Sequence, residues 1–257
     1  MRCSALGLAA LLAACERPDM LIVCHNSNCV EPQDPDRDDT VEALQESLAL
    51  GPVIDGIEMD LLVHEGRCLF AHDKGEALTA IDFSEAAQIV AEHLATRDEG
   101  SRFIVEIELK ATDATTTSVD CALAAYDILR AATETRLLEL DVGFGSYVPA
   151  TLRAVGERRP APTANVRTLL VLGLGIPQPL LDDNHPFSEL DNVTLDVVAV
   201  HPGWITDTAL RAVRSMDVEI AAWFLDFTRE TLDGIERVRP YYVTTGQART
   251  LRAWLDG

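Results

Sequence analysis

The sequence predicts an α/β fold, a (β/α)8 (TIM) barrel that is somewhat distorted at one strand. Apolar runs rich in β-branched residues alternate with helical patterns along the chain, which is typical of a parallel sheet covered by helices. Nine runs are predicted as strands, one more than such a barrel holds. Segment 63–66 is too short for a parallel crossover, so a hairpin or a distorted barrel segment accounts for the extra strand.

The predicted elements alternate in the order that this fold requires. The strands are 21–25, 53–61, 67–72, 102–109, 138–144, 166–173, 194–201, 217–225 and 241–245. The helices lie near 40–50, 83–96, 114–136, 148–158, 205–215, 228–237 and 246–255. Stretches 31–39 and 175–193 are predicted as exposed loops. An open dinucleotide-binding sheet is disfavoured, because the Gly-x-Gly pairs at 143–145 and 173–175 are too short and are misplaced.

Composition limits the classes of partner. The chain has 257 residues and a formal net charge of −21. Such an acidic surface disfavours nucleic acid and anionic lipid head groups, and it confers solubility. An anionic substrate would need local help from a metal or from placed basic residues. Lys74 and Lys110 are the only lysines among 21 basic residues.

The N-terminus predicts export. Residues 2–14 form a short basic-then-apolar stretch, too short to span a bilayer as a mature helix. Leu12-Ala13-Ala14-Cys15 resembles a bacterial lipoprotein signal. We therefore expect a signal peptide at 1–14, lipidation of Cys15, a tether at 15–20 and a single domain at 21–257. The mature protein would be anchored in the cell envelope by lipid only. An ordinary secretory signal or a buried helix is the alternative.

Four further cysteines follow, at positions 24, 29, 68 and 121. An exported protein can pair them, and four cysteines allow three connectivities. Their spacing does not suggest zinc. Buried free thiols are the alternative, and the sequence does not choose the pairing.

Carboxylates recur at the ends of two predicted strands. Glu58 and Asp60 are two residues apart, so both side chains point to one face. Glu106 and Glu108 repeat the pattern, and Lys110 continues that face. Like charges on a buried face repel each other, and a hard divalent cation removes the repulsion. The sequence thus predicts one Mg²⁺ or Ca²⁺ ion at the carboxyl end of the barrel strands, where such barrels carry their chemistry.

Two histidines accompany these carboxylates. His25 ends the first predicted strand and His72 ends the third. Beside a metal site, two histidines form an acid/base pair suited to phosphoryl transfer. Lys110 has no acceptor, so it would supply a point charge to a phosphate oxygen.

These motifs resemble the glycerophosphodiester phosphodiesterases, members of the phospholipase-C-like phosphodiesterase superfamily of TIM barrels. The resemblance spans nearly the whole mature chain. It rests on His25, Gly56-Ile57-Glu58-Met59-Asp60, His72-Asp73, Glu108-Leu109-Lys110, His201-Pro202, Ala222-Trp223-Phe224-Leu225-Asp226 and Val243-Thr244-Thr245. The Glu-x-Asp followed by His-Asp is its most specific part.

The resemblance implies a phosphodiesterase with named roles. Glu58, Asp60 and Glu108 would bind the metal, and His25 and His72 would act as general acid and base. A neighbouring hydroxyl of the substrate would attack phosphorus to give a cyclic phosphate, which water then opens. Lys110 would hold the phosphate. Trp223, Asp226 and Glu106 would bind or line the substrate pocket, with Glu106 alternatively at the metal.

The departures from the family bear on specificity. The usual His-Arg is His25-Asn26 here, a pair that resembles the phosphatidylinositol-specific phospholipase C branch, in which the Asn ligates Ca²⁺. The span from His25 to Asn28 also resembles the sphingomyelinase D-like lyases. The family's Pro-Glu-Asn-Thr stretch is reduced to Asp38-Asp39-Thr40, where Asp39 or Thr40 is expected to cap a helix.

Three hypotheses follow. The first is a metal-dependent phosphodiesterase that acts on small glycerophosphodiesters or phospholipid head groups, with no protein partner. The second is a barrel without catalysis that serves as an envelope binding protein. The third is a lyase that stops at the cyclic phosphate.

Overall fold

Eight parallel strands close into a barrel in the computed structural model, and a ninth strand pairs antiparallel to one of them. The structure describes residues 20–110, 115–134, 136, 138–173 and 194–257. The signal peptide, Cys15, most of the tether and the whole predicted loop 175–193 lie outside these ranges. None of the described helices has the length and apolar composition of a membrane span.

The helices and strands follow the predicted order. The strands are β1 (Leu21–Cys24), β2 (Gly56–His64), β3 (Arg67–Phe70), β4 (Arg102–Leu109), β5 (Glu139–Ser146), β6 (Val166–Gly173), β7 (Val197–Val200), β8 (Glu219–Phe224) and β9 (Tyr242–Thr245). The described helices are α1 (Val41–Leu48), α2 (Phe83–Leu94), α3 (Thr115–Thr133), α4 (Pro149–Gly156), α5 (Asp207–Arg214), α6 (Arg229–Val238) and α7 (Ala248–Asp256).

The predicted barrel is confirmed. Neighbouring strands run β1-β9-β8-β7-β6-β5-β4-β2, and β1 pairs with β2 to close the ring. The extra strand is β3, which forms a hairpin with β2 through Glu65 and Gly66, both at positive φ. β2 begins at Gly56 rather than at 53, because residues 51–53 form a 3-10 turn.

The barrel interior is aliphatic in its middle layers and charged at its amino-terminal end. Val23, Ile104, Val171 and Ala221 are among the residues that fill the middle. Below them, the Arg167 side chain donates two hydrogen bonds to the buried Asp141, at 2.7 and 2.6 Å. This ion pair closes the end of the barrel opposite the candidate site.

Two disulfides form. Cys24 pairs with Cys29, and Cys68 pairs with Cys121. The first joins the end of β1 to the turn that follows it, and the second joins β3 to α3. The structure thus selects one of the three pairings that the sequence left open.

Candidate metal centre and active site

The strand register brings the predicted carboxylates together. Glu58 lies opposite Glu106 and Asp60 lies opposite Glu108 in the parallel pair β2–β4. In each strand the two carboxylates are two residues apart, so all four side chains face the barrel interior. Oxygen atoms of Glu58, Asp60 and Glu108 lie within 4.8 Å of one another. Two neighbouring strands therefore bring three carboxylates together at one point.

This carboxylate cluster carries buried oxygens without partners. Glu58 Oε1 and Asp60 Oδ2 accept no hydrogen bond from the described residues, and Glu58 and Asp60 are almost completely buried. A buried ionised oxygen left unpaired is costly. Hard oxygen donors of this kind suit Mg²⁺ or Ca²⁺. The donor set therefore fits a divalent cation.

Lys110 lies within the cluster. Its Nζ is 2.8 Å from Asp60 Oδ1 and 2.7 Å from Glu108 Oε1. Burial by itself lowers the pKa of Lys110, but Asp60 and Glu108 outweigh it and raise that pKa above its ordinary value. Lys110 therefore stays charged and neutralises part of the cluster.

The carboxyl groups are harder to ionise than in water. Burial raises the pKa of Glu58, and the nearby Glu108 adds to the rise. Burial also raises the pKa of Asp60, with Glu58 adding to it. Glu108 shifts in the same direction, for burial and for its neighbour Asp60. Without a cation, this cluster favours bound protons.

Residues 25–27 form a strained turn at the end of β1. Asn26 and Ser27 both adopt left-handed backbone angles, with φ of 46° and 54°. Each such residue costs about 1–3 kcal/mol, so it persists only where contacts with its surroundings offset that cost. The Asn26 backbone N–H donates to Glu58 Oε2 at 2.6 Å, and Ser27 Oγ donates to the Glu58 carbonyl oxygen at 3.0 Å. The turn therefore places His25 and Asn26 beside the cluster.

Asp38 orients the Asn26 amide. Asp38 Oδ2 accepts from Asn26 Nδ2 at 3.1 Å, and Asp38 Oδ1 accepts from Asn28 Nδ2 at 2.7 Å. Because the Asn26 side-chain nitrogen donates to Asp38, the amide oxygen is the atom of that side chain that can ligate a cation. Burial lowers the pKa of the neighbouring His25, an effect that Asp60 and Glu108 partly oppose.

Asp39 is a further carboxylate of the site that the sequence interpretation missed. Loop 31–39 was expected to be exposed, but Asp39 is buried and its Oδ1 accepts a hydrogen bond from the Asp60 N–H at 3.4 Å. Burial and the nearby Asp60 raise the pKa of Asp39 well above its ordinary value. The helix cap is Thr40, whose Oγ1 accepts from the Ala43 N–H. The sequence offered one clue to this role, a second aspartate directly after Asp38.

His72 lies at the rim. The Ala71 N–H donates to the Asp60 carbonyl oxygen at 3.2 Å, so the backbone just before His72 borders the cluster. The His72 side chain is exposed, and its backbone N–H donates to Glu76 Oε2 at 2.7 Å. The structure therefore brings His25 into the buried site and leaves His72 in the open mouth.

Glu106 lies one layer deeper than Glu108. The hydroxyl of Tyr242 donates to Glu106 Oε2 at 2.8 Å. Gly145 makes room for the carboxylate, because a Cβ there would lie 2.9 Å from Glu106 Oε1. Burial raises the pKa of Glu106 to about 7.

The opposite side of the mouth is aromatic. The His201 ring stacks on Trp204 at 3.4 Å between centroids, and Trp223 meets His201 edge-on at 5.2 Å. Trp204 is 45% exposed, and Asp226 is exposed nearby. His201 and Trp204 were not among the predicted site residues. His201-Pro202 at a strand end was the available clue.

Comparisons with solved structures confirm the fold to which the sequence resemblance points. A glycerophosphodiester phosphodiesterase from Parabacteroides distasonis has a TM-score of 0.61 and 10% identity, over 92% of this chain and 97% of that one. The enzyme of that name from Thermotoga maritima gives 0.53 and 16%, over 91% and 97%. A calcium-dependent phosphoinositol-specific phospholipase C from a Pseudomonas species gives 0.55 and 8%, over 90% of each chain.

Comparison with protein-family models gave no match, and no curated protein matches the sequence significantly. The chain thus has a (β/α)8 barrel fold similar to that of these solved structures, with a carboxylate cluster at the carboxyl end of its strands.

Proposed function

We propose that this chain is a metal-dependent phosphodiesterase that acts on glycerophosphodiesters or phospholipid head groups. One observation carries the proposal. Three carboxylates from two adjacent strands converge beside His25 at the carboxyl end of the barrel, and buried oxygens among them accept no hydrogen bond from the residues that the structure describes. The structural neighbours named as glycerophosphodiester phosphodiesterases and as a phospholipase C support it.

Glu58, Asp60 and Glu108 would hold one divalent cation, with the Asn26 amide oxygen as a further ligand. The ion would act as a Lewis acid on a phosphoryl oxygen. Mg²⁺ and Ca²⁺ both suit these oxygen donors. The calcium dependence of the phospholipase C neighbour, together with Asn26 in place of the family arginine, favours Ca²⁺.

His25 and His72 would share the proton transfers. His25 in its neutral form would accept the proton of the substrate's neighbouring hydroxyl, and His72 at the rim would donate a proton to the leaving oxygen. The new phosphorus–oxygen bond of the cyclic phosphate forms as the bond to the leaving group breaks, and in a hydrolase water opens that ring in a second step. Lys110 would add a positive charge for the phosphate oxygens.

The aromatic side would receive the leaving head group. Trp223 and Trp204 offer flat apolar surface, and the exposed Asp226 offers a negative charge at its edge. Tyr242 holds Glu106 in the layer below Glu108. In this position Glu106 would not touch the substrate.

Two rival functions remain. A lyase that stops at the cyclic phosphate is favoured by Asn26 and by the phospholipase C neighbour. A barrel without catalysis is favoured by the exposed position of His72.

The test is hydrolysis of glycerophosphocholine, whose glycerol carries the neighbouring hydroxyl, by purified protein, with Mg²⁺, with Ca²⁺ and with a chelator. We expect turnover that depends on the cation and that Glu58→Gln abolishes, whereas the exposed Glu65→Gln leaves it unchanged. Phosphorus NMR of the products separates a hydrolase from a lyase. No cation-dependent turnover, combined with no effect of Glu58→Gln, contradicts the proposal.

We also propose that the protein is an exported lipoprotein, cleaved after residue 14 and lipidated at Cys15. The two disulfides support export, because such bonds persist in oxidising compartments. Mass spectrometry of the mature N-terminus tests it. A lipidated Cys15 is expected, and an unprocessed Met1 contradicts it.

A further inference from the structure

The Cys24–Cys29 disulfide spans the turn that carries His25 and Asn26. Cys24 is the last residue of β1, and Cys29 follows the turn with a Cα–Cα distance of 5.6 Å. Both cysteines are completely buried. The bond therefore closes a small ring of backbone whose other members are the residues 25–28.

This turn needs an external restraint. Asn26 and Ser27 are consecutive non-glycine residues with left-handed φ angles, a conformation that an unrestrained chain leaves readily. Ser47 Oγ donates to the Ser27 carbonyl oxygen and accepts from the Cys29 N–H, at 3.0 and 2.9 Å. These bonds tie the turn to α1, and the disulfide fixes its two ends.

The geometry of the turn decides the geometry of the cluster. Its Asn26 N–H is the partner of Glu58 Oε2, which leaves Oε1 as the oxygen of that carboxylate that has no partner within the described part of the chain. If the turn relaxed, Glu58 would lose this donor, and His25 and Asn26 would leave the site together. Outer partners of this kind typically change metal affinity about 10- to 100-fold.

We propose that the Cys24–Cys29 disulfide is a positioning element of the active site, which holds the 25–28 turn so that Asn26 and Glu58 present their oxygens to the cation. This inference rests on the proposed function for its effect on the cation, but not for its effect on the turn. The cysteines do not touch substrate, so their role is indirect.

The second disulfide provides a matched control. Cys68–Cys121 closes a loop of 53 residues between β3 and α3, against a separation of only five for Cys24–Cys29. Loop-closure entropy predicts that the longer loop stabilises the fold more. Global stability and site geometry should therefore depend on different disulfides.

The experiment compares Cys24→Ala/Cys29→Ala with Cys68→Ala/Cys121→Ala in the full mature chain. Four properties of each variant are measured: the affinity for Ca²⁺ and Mg²⁺ by calorimetry, kcat and KM, the melting temperature, and hydrogen exchange of peptides that cover 25–30. We expect the first pair to weaken cation binding about 10-fold or more, to lower kcat more than it raises KM, and to speed exchange at 25–30. The control pair should lower the melting temperature further yet keep cation affinity and kcat.

Unchanged exchange at 25–30 in Cys24→Ala/Cys29→Ala overturns the inference, as does equal loss of cation affinity in both pairs. A wild-type protein that binds no cation and hydrolyses no diester instead overturns the proposed function, and the exchange measurement then still decides the role of the disulfide. If the double variant does not fold, Cys29→Ala opens the same bond with a smaller loss of packing and is judged by the same outcomes.

Discussion

Lys110 and Asp60 form an ion pair in the barrel mouth, with Nζ 2.8 Å from an oxygen of a completely buried carboxylate. The same ammonium lies 2.7 Å from Glu108. A protein charge thus occupies the negative potential that a divalent cation would use. Because both charges interact with the same oxygens, Lys110 and the cation should compete.

Lys110→Met should therefore have opposite effects on binding and on turnover. Loss of the ammonium makes the cluster more negative, so the dissociation constant for Ca²⁺ or Mg²⁺ should fall about 10-fold. Loss of the charge for the phosphate should lower kcat/KM by about 100-fold or more. Calorimetry and steady-state kinetics measure the two effects. Lys74→Met, at the other and exposed lysine, is the control, and a weaker cation affinity in Lys110→Met would contradict the competition.

Glu58→Gln should stabilise the metal-free protein while it removes cation binding. Glu58 is buried beside other carboxylates, which raise its pKa together with burial. Glutamine keeps the shape and an acceptor for the Asn26 N–H, but not the charge. In chelator at about pH 8, the melting temperature of the variant should exceed that of wild type. With saturating cation the order should reverse, and the same order in both buffers would argue against a metal centre.

The stability of the metal-free protein should fall as the pH rises from about 4 to about 7. The pKa values of Glu58, Asp60 and Glu106 are raised in the folded state, so the folded protein binds more protons than the unfolded chain there. Their protonated forms thus contribute stability below the unfolded pKa, near 4, and that contribution is lost as the pH passes the folded value. Urea unfolding in chelator across this range measures the slope. Saturating cation should flatten it, and stability that rises with pH in chelator would contradict the pKa shifts.

His25→Ala and His72→Ala should each lower kcat by about 100- to 10,000-fold, because each removes one proton-transfer group. His64→Ala, at the end of β2, serves as the control and should leave kcat unchanged. Melting temperatures establish that each variant is folded. Full activity of His72→Ala would show that the exposed histidine takes no part in the reaction. His25 would then be the acid/base group without His72.

Tyr242→Phe should lower stability and spare catalysis. The hydroxyl is a buried donor to Glu106, and its loss leaves that carboxylate without this partner, at a cost of about 1–3 kcal/mol. Denaturant unfolding and kcat/KM are the measurements. A large loss of kcat/KM with an unchanged free energy of unfolding would instead place Glu106 in contact with the substrate.

The sequence determined the fold class and the carboxylates that form the cluster, for local reasons. Two-residue spacing along a strand fixes the face of Glu58 and Asp60, whatever the rest of the chain does. The alternation of apolar runs and helical patterns fixes the order of elements, and the short segment 63–66 excludes a parallel crossover there. These features were predicted because each depends on residues close together in sequence.

Only the tertiary structure decided which distant groups share the site. The β2–β4 register sets Asp60 opposite Glu108 and so brings Lys110 between them. Loop 31–39 folds over the barrel mouth and buries Asp39. Asp38 of this loop accepts the hydrogen bond that orients the Asn26 amide. The cysteine pairing likewise needed the fold. Such contacts join residues far apart in the chain, and their geometry depends on barrel closure, which no local pattern specifies.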